Sequence, residues 1–310
     1  MYAFWGLLKT TFAEWSKDKA PRLGAALAYY TAFSLAPLLV VVIAITGLVL
    51  GQDAARTNIL EQMAGVVGEG SASAVEEMLD YAGRPRNGII ATIIGIVTLL
   101  FGAGGVFGQL QDALNTVWGV EPKPGTGWLA TIRARFLSLV AVVGTGFLLL
   151  VSLVMSAWIS AAGHAVYSLL PGPELLLQIL NFVVSFGVTT MLFAMIYKVL
   201  PDVILEWRDV WIGAAVTAFL FTIGKLLLGL YLGKTEVASA FGAAGSFVMI
   251  LIWVYYSAQI LLFGAEFTAV YSNEYGSHVR PAETAVPVSD ESKAAQGLKG
   301  KSKVVGMKSA

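Results

Sequence analysis

Residues Phe241–Tyr271 read FGAAGSFVMILIWVYYSAQILLFGAEFTAVY, and Glu266 is the one charged side chain among them. A helix needs about 20 mostly apolar residues to cross a bilayer, and this stretch exceeds that length. Five further stretches have the same character: Gly24–Leu50, Gly88–Phe107, Phe136–Ala161, Glu174–Val199 and Val210–Leu232. The sequence therefore predicts an all-α, polytopic membrane protein with six transmembrane helices.

The composition indicates the same class of protein. The chain has 310 residues, of which 57% are hydrophobic and 13% charged, and its net charge is zero. A soluble domain carries about 25% charged residues, so too few charged groups are present here to cover a soluble surface. The zero net charge and the absence of cysteine exclude a basic nucleic-acid-binding surface, a disulfide scaffold and a thiol nucleophile.

Basic residues predict the orientation of the chain. Fifteen of the 20 lysines and arginines fall in the N-terminal segment, the loops after the second and fourth predicted spans, and the C-terminal tail. Because cytoplasmic segments carry the excess of lysine and arginine, we expect both termini in the cytoplasm.

These patterns predict that the chain is divided into three segments. Residues 1–23 are expected to form a cytoplasmic amphipathic helix at the membrane interface, with Phe4, Leu8, Phe12 and Trp15 at helical spacing. Residues 24–275 form the six-span domain, with an acidic extracytoplasmic loop at 51–87 that is either a solvated cap or a vestibule attracting cations. Residues 276–310 lack apolar periodicity and are predicted to be a disordered, basic cytoplasmic tail.

Polar side chains inside the predicted spans are the candidates for a substrate path. Lys225 lies inside the fifth span, where an ionisable group indicates a functional site unless its long stem lets the amine reach the interface. Gln259 lies at a similar depth on the sixth span, and Glu266 lies nearer the cytoplasmic end of that span. The remaining candidates are hydroxyl-bearing residues of the third and sixth spans: Ser152, Ser156, Ser160 and Tyr256.

Motifs of catalysis are missing from the sequence. It contains no HExxH, no phosphate-binding P-loop and no GxSxG motif. With two histidines, no cysteine and no nucleophile–base pair, we expect neither an enzyme nor a metal or cofactor site.

Four blocks of sequence together resemble the YihY/BrkB family of bacterial inner-membrane proteins. They are Arg22–Leu39 (RLGAALAYYTAFSLAPLL), Leu110–Val120 (LQDALNTVWGV), Tyr197–Tyr231 with YKVLPD and WRDVWIGA, and Phe241–Tyr271 with GAAGSF and LIWVYYSAQILLFGAEF. The resemblance implies a six-span α-helical protein of the bacterial cytoplasmic membrane. One branch of the family is linked to resistance to serum killing.

The family was once described as a tRNA-processing ribonuclease, but the residues here argue against that activity. A metal-dependent nuclease needs clustered carboxylates or histidines, and RNA binding needs a basic surface. The resemblance carries over no catalytic site. It does mark positions without an assigned role: Tyr29, Tyr30, Asn115, Trp118, Lys225, Trp253 and Glu266.

Two functions agree with these observations. The first is a transporter or exporter of an unidentified envelope-related solute or lipid. The second is a membrane scaffold that does not transport and that supports envelope assembly or integrity. The expected partners are the lipid bilayer and a small-molecule or lipid substrate, without nucleic acid, and association into a homo-oligomer stays open.

Overall fold

The computed structural model describes residues 2–67, 75–76, 79–80, 105–123, 174–234 and 245–295. The helices are α1 (Tyr2–Lys17), α2 (Ala20–Leu50), α3 (Gln52–Val67), α4 (105–118), α5 (Glu174–Val199), α6 (Trp207–Lys234), α7 (Gly245–Tyr275) and α8 (Asp290–Ala295). The strands are short: β1 (Val120–Pro122), β2 (Val203–Ile204), β3 (Arg280–Pro281) and β4 (Ala285–Pro287).

Three helices of the described part are long and apolar enough to cross a membrane, namely α5, α6 and α7 over Phe182–Val199, Trp207–Leu228 and Phe247–Tyr275. Helix α5 has the bounds predicted for the fourth span, and the first predicted span lies inside α2. Most of the second predicted span and all of the third, with Ser152, Ser156 and Ser160, lie outside the described residues. A mostly helical membrane protein is confirmed, and the number of six spans stays a prediction.

Helix α7 lies at the centre of the described bundle. It packs against α6 on one side, α2 on another and α1 near its C-terminal end, while α5 packs on α6. Small residues permit the contact with α2, because Ala28 and Ala32 are buried and Gly24 lies against Gln259 and Ala258. This is the packing by small side chains that helices use in lipid, where little hydrophobic driving force remains.

A reciprocal pair of glycine–threonine contacts joins α6 to α7. Gly213 of α6 faces Thr268 of α7, and four residues further along α6, Thr217 faces Gly264 of α7. Each threonine hydroxyl donates a hydrogen bond to the carbonyl of the glycine on its own helix, Thr217 to Gly213 and Thr268 to Gly264, both at 2.7 Å. The hydroxyls are therefore satisfied within each helix, and the two backbones approach closely at both points.

The loop predicted at 51–87 carries folded structure where it is described. Ala55 of α3 and the helical residues Val75 and Leu79 are buried, and the latter two pack in one apolar cluster with Leu39 of α2 and Ile250 of α7. Arg56 forms ion pairs with Glu76, at 3.7 Å, and with Asp80. The described part of this segment therefore forms a folded cap that packs on α2 and on the N-terminal end of α7.

Residues 276–288 form a second cap at the opposite end of α7, which we call the C-terminal clasp. Strand β3 pairs antiparallel with β2, between α5 and α6, and β4 pairs antiparallel with β1, after α4. The prediction of a disordered tail is wrong for residues 276–295, and residues 296–310 lie outside the described part. Strands of two or three residues are too short to show a period-2 pattern, which explains the error.

Helix α1 packs against the bundle through Leu7 and through two residues of the predicted apolar face, Leu8 and Trp15, which are partly buried. Leu7 is buried against Phe267 and Val270 of α7, whereas Phe12 is 59% exposed and Trp5 is 71% exposed. The exposed aromatic side chains are typical of a helix at a membrane interface, and the buried face fixes that helix to the protein.

Candidate functional site

Lys225 lies in a groove between α6 and α7. The other residues that line the groove are Phe221, Gly224, Leu228, Trp253, Tyr256, Ser257 and Ile260. The groove encloses about 180 Å³, a volume that includes space open to the surroundings. Because that volume counts the gaps between atoms, the groove as it stands has no room for a water-sized group and is a closely packed recess, not a preformed ligand pocket.

Close packing fixes two sides of this groove. A side chain at Gly224 would lie 2.9 Å from Cε1 of Tyr256, so the glycine lets the tyrosine ring rest on the backbone of α6. Trp253 packs edge-on against Phe221, with ring centroids 6.3 Å apart. Tyr256 and Trp253 are thereby held beside Lys225, which is itself exposed.

Gln259 faces a different neighbour, although it lies one turn from Tyr256 on the same helix. Its side chain packs against Gly24 of α2, where an added Cβ would lie 3.1 Å from the amide carbon. Both amide atoms are buried, and neither forms a hydrogen bond within the part of the chain that the structure describes. A buried amide without a partner destabilises a fold by about 1–3 kcal/mol, so its presence calls for an explanation.

The predicted site residues thus fall into separate places. Lys225 and Tyr256 share the groove, and Gln259 lies on the α2 side of α7 at the same level. Glu266 is fully buried further along α7 and does not line the groove. We use the term polar level for Lys225, Tyr256, Ser257 and Gln259.

Two of the positions marked by the family resemblance lie in the packing around the clasp. The Asn115 amide donates to Asp202 Oδ2 and accepts from the Asp202 backbone N–H, both at 2.9 Å, and Gln111 adds a third bond at 3.1 Å. Trp118 is buried against the ring of Tyr197 at 5.9 Å. Both residues fasten α4 to the end of α5, which is a structural role.

The other aromatic residues marked by the family resemblance differ in their position and neighbours. Tyr29 and Tyr30 are 59% and 42% exposed on α2. The Tyr29 ring lies 4.8 Å from that of Phe33, and Tyr30 lies against Gly105 of α4. Trp253 is the one of these aromatics that lines the groove.

The carboxylate of Asp112 lies near the hydrogen-bonded Asp202. Desolvation, together with the negative charge of Asp202, raises the pKa of Asp112. A raised folded-state pKa means that this group's contribution to stability is complete below the unfolded value of about 3.9 and is lost as the pH rises through the folded value.

Asp112→Asn is therefore expected to raise the free energy of unfolding at neutral pH, by up to about 0.5 kcal/mol for this exposed position. It should also flatten the fall in stability as the pH rises from the unfolded pKa of about 3.9 towards neutral. Thermal unfolding at acidic and at neutral pH measures the effect. Asp53→Asn, at an exposed carboxylate of α3, is the matched control, and an equal gain there would contradict the role of Asp202.

Asp209, the acidic residue of the first turn of α6, was not among the residues predicted from the sequence. Its Oδ2 accepts hydrogen bonds from the hydroxyls of Ser272 and Ser277, both at 2.8 Å, and from the Ser277 backbone N–H at 2.9 Å. An acidic residue at a helix start was a visible signal. Its partners more than 60 residues away were not.

Long apolar helices, small residues at their contacts and polar groups at membrane depth define the class, a helical integral membrane protein. The chain belongs to the family described as Virulence factor BrkB, whose profile matches residues 11–288.

Relatives described as UPF0761 membrane proteins match over most of the chain. A UPF0761 membrane protein of Pseudomonas aeruginosa (strain LESB58) is 30% identical over 259 residues, which is 80% of this chain and 58% of the relative. One of Tolumonas auensis is 28% identical over 255 residues, covering 81% of this chain and 80% of the relative. The chain therefore spans little more than half the length of the Pseudomonas relative. No solved structure matches it.

Proposed function

We propose that the protein is a transporter or exporter of an envelope-related solute or lipid in the bacterial cytoplasmic membrane, with both termini in the cytoplasm. The observation that carries the proposal is the polar level, to which α6 contributes one residue and α7 contributes three. Within one turn, this helix presents Tyr256 and Ser257 to the groove with Lys225 and presents the buried amide of Gln259 to α2.

Charged and amide side chains raise the free energy of the folded protein inside a membrane, where no water is present to bind them. Ionisable and amide side chains at this depth face a cavity, a pathway or each other in most membrane proteins. Here the Gln259 amide has hydrogen-bonding capacity unused by the described residues, and Lys225 forms no ion pair among them. Water or a passing solute that reaches the polar level would supply the partners.

Cysteine accessibility tests the proposal directly, because the chain contains no native cysteine. Single replacements Lys225→Cys, Ser257→Cys and Gln259→Cys would be treated in intact cells and in inverted vesicles with a membrane-impermeant maleimide. A hydrated path is expected to give labelling from at least one side. The thiolate is the nucleophile that adds to the maleimide double bond, and it forms in water and not in hydrocarbon.

Leu227→Cys is the matched control. Leu227 is on the same helix, two residues from Lys225, and its apolar side chain is 57% exposed. Labelling at the polar level at least about tenfold faster than at this control is expected, since burial in an apolar environment raises a thiol pKa. Equal, slow labelling at all four positions from both sides, with full labelling after denaturation, would contradict a transport path.

The scaffold function has its own support. The protein carries a folded cap at each end of α7, one built on α3 and the other by the C-terminal clasp. Folded caps at both ends of a membrane helix suit a protein that holds partners. Slow labelling throughout the polar level, combined with recovery of a stable partner by cross-linking, would favour this function over transport.

A further inference from the structure

The side of helix α1 that faces away from the bundle combines aromatic rings with positive charge. Four exposed residues fall within about 60° of one another around the helix axis: Trp5, Lys9, Phe12 and Ser16. The acidic residues of this segment lie elsewhere, because Asp18 is buried and Glu14 forms an ion pair with Lys17 at 3.2 Å. We call this side of α1 the outward face, and its one charged residue is a lysine.

A second exposed lysine follows at the corner between α1 and α2. Lys19 has φ 53° and ψ 41°, the left-handed conformation that glycine adopts freely and that a residue with a Cβ disfavours. Within the described part of the chain, neither Lys9 nor Lys19 forms an ion pair. The corner therefore holds a cation where glycine would be less strained, and an outlier of this kind motivates a functional hypothesis for the side chain.

The outward face is held in a fixed orientation relative to the membrane helices. The Phe12 ring stacks on the ring of Trp15, with centroids 5.6 Å apart, and Trp15 packs against the core of the bundle. On the opposite side of α1, Leu7 is buried in one cluster with Phe267 and Val270 of α7. The exposed rings and Lys9 therefore point away from the bundle as one surface.

The level of α1 along α7 corresponds to the edge of the hydrocarbon layer. The candidate span of α7, Phe247–Tyr275, has 29 residues, and at 1.5 Å per residue it is about 43 Å long. A bilayer measures about 40–45 Å with its headgroups and about 30 Å without them. Phe267 and Val270, which pack with α1, lie about 8–12 Å before the end of this span. Helix α1 is therefore level with the boundary between headgroups and acyl chains, where exposed tryptophan and phenylalanine rings are favoured.

We infer that the outward face of α1, together with Lys19, binds the headgroups of anionic phospholipids at one surface of the membrane. Lys9 and Lys19 attract the negative charge of the lipid, and the rings of Trp5 and Phe12 lie among the upper parts of the acyl chains. A helix that only anchors the chain needs the rings alone, whereas the two lysines add a preference for anionic over zwitterionic lipid. This binding is independent of transport and applies equally to a scaffold.

Fluorescence quenching by spin-labelled lipids tests this inference in the full chain. Because the chain has no native cysteine, Ser16→Cys places a single fluorophore on the outward face. The labelled protein in phosphatidylcholine bilayers would receive a small fraction of spin-labelled phosphatidylglycerol or spin-labelled phosphatidylcholine. Phosphatidylglycerol is expected to associate with this face at least about fivefold more strongly, the contribution of one lysine near an anionic surface. The preference should fall at high salt, because the lysines are exposed to solvent ions.

Variants of the two lysines assign the preference to this face. Lys9→Gln and Lys19→Gln should each lower it about fivefold, whereas Lys9→Arg should retain it. Arg280→Gln removes an exposed cation of β3, outside α1, and is the matched control that should leave the preference unchanged. Lys19→Gly separates binding from folding, because it should raise the unfolding midpoint by relieving the left-handed backbone and at the same time lower the preference for phosphatidylglycerol.

Three results would overturn the inference. Equal quenching by the two spin-labelled lipids would show that α1 anchors the chain without selecting lipid. Equal losses in Lys9→Gln and Arg280→Gln would show that the total charge of the protein, and not this face, attracts the anionic lipid. Absence of quenching by either lipid would show that protein covers the outward face. Cysteine labelling at the polar level is measured separately, so each of these results leaves the transport proposal standing.

Discussion

Gly264→Val is expected to lower the free energy of unfolding by about 3 kcal/mol, the upper range for overpacking a tight contact. A Cβ at this position would lie 2.7 Å from the Tyr197 hydroxyl and 2.8 Å from Cβ of Thr217. The Tyr197 hydroxyl is itself buried, 3.0 Å from Thr217 Oγ1, and donates to the Leu261 carbonyl at 2.8 Å. The valine would therefore separate α5, α6 and α7 where all three meet.

Thermal unfolding in detergent, followed by tryptophan fluorescence, measures this loss. Gly187→Val is the matched control, because Gly187 lies on α5 and an added Cβ there would meet nothing within 4 Å. Both variants introduce the same residue into an apolar helix. Equal shifts of the unfolding midpoint would show that the effect comes from helix propensity and not from the contact.

A double replacement tests the reciprocal arrangement itself. Gly264→Ala alone is expected to destabilise the protein, and adding Thr217→Ala should recover part of that loss because the threonine side chain no longer occupies the space. Tyr197 keeps its bond to the Leu261 carbonyl in the double variant. The recovery is a coupling energy of about 0.5–3 kcal/mol, and additive losses would contradict direct contact between the two positions.

The membrane helices could be predicted from sequence because their signal is local. A continuous apolar run specifies a helix without reference to any partner, so the fourth predicted span has the same bounds as α5. The small residues Gly24, Ala28 and Ala32 follow each other at i, i+4 spacing along α2, and all three are buried. The partner of that face, Gln259, was not predicted, since small residues do not specify what packs on them.

The contacts of the clasp and of the neighbouring turn between α5 and α6 could not be predicted because they join distant residues. Asn115 binds Asp202 across 87 positions, and Asp209 binds Ser277 across 68. Neither pair belongs to a recurring motif, and the strands between them are two or three residues long. In the same way, depth along the spans placed Lys225 and Gln259 together, whereas the rotation of α7 points them at different neighbours.

Asp209→Ala is expected to open the C-terminal clasp, with a loss of about 3 kcal/mol in the free energy of unfolding. Its Oδ2 accepts three hydrogen bonds from Ser272 and Ser277, and a bond to a charged group contributes about 1.5–3 kcal/mol. The alanine variant would also leave the buried Ser272 hydroxyl without this acceptor. Gly276 packs directly on the Asp209 carboxylate, so the void would extend to the start of the clasp.

Limited proteolysis, with intact mass measured afterwards, detects that opening within residues 276–295, and thermal unfolding gives its magnitude. Glu206→Ala removes an exposed carboxylate three residues earlier and is the matched control. If Asp209→Ala and Glu206→Ala resist protease equally, the carboxylate does not hold the clasp. The clasp joins α4, the turn between α5 and α6, and the end of α7. Cleavage within the clasp that leaves the membrane helices intact would therefore show that the clasp can open separately from the bundle. Labelling of Gln259→Cys in the Asp209→Ala background would show whether the clasp also closes the polar level.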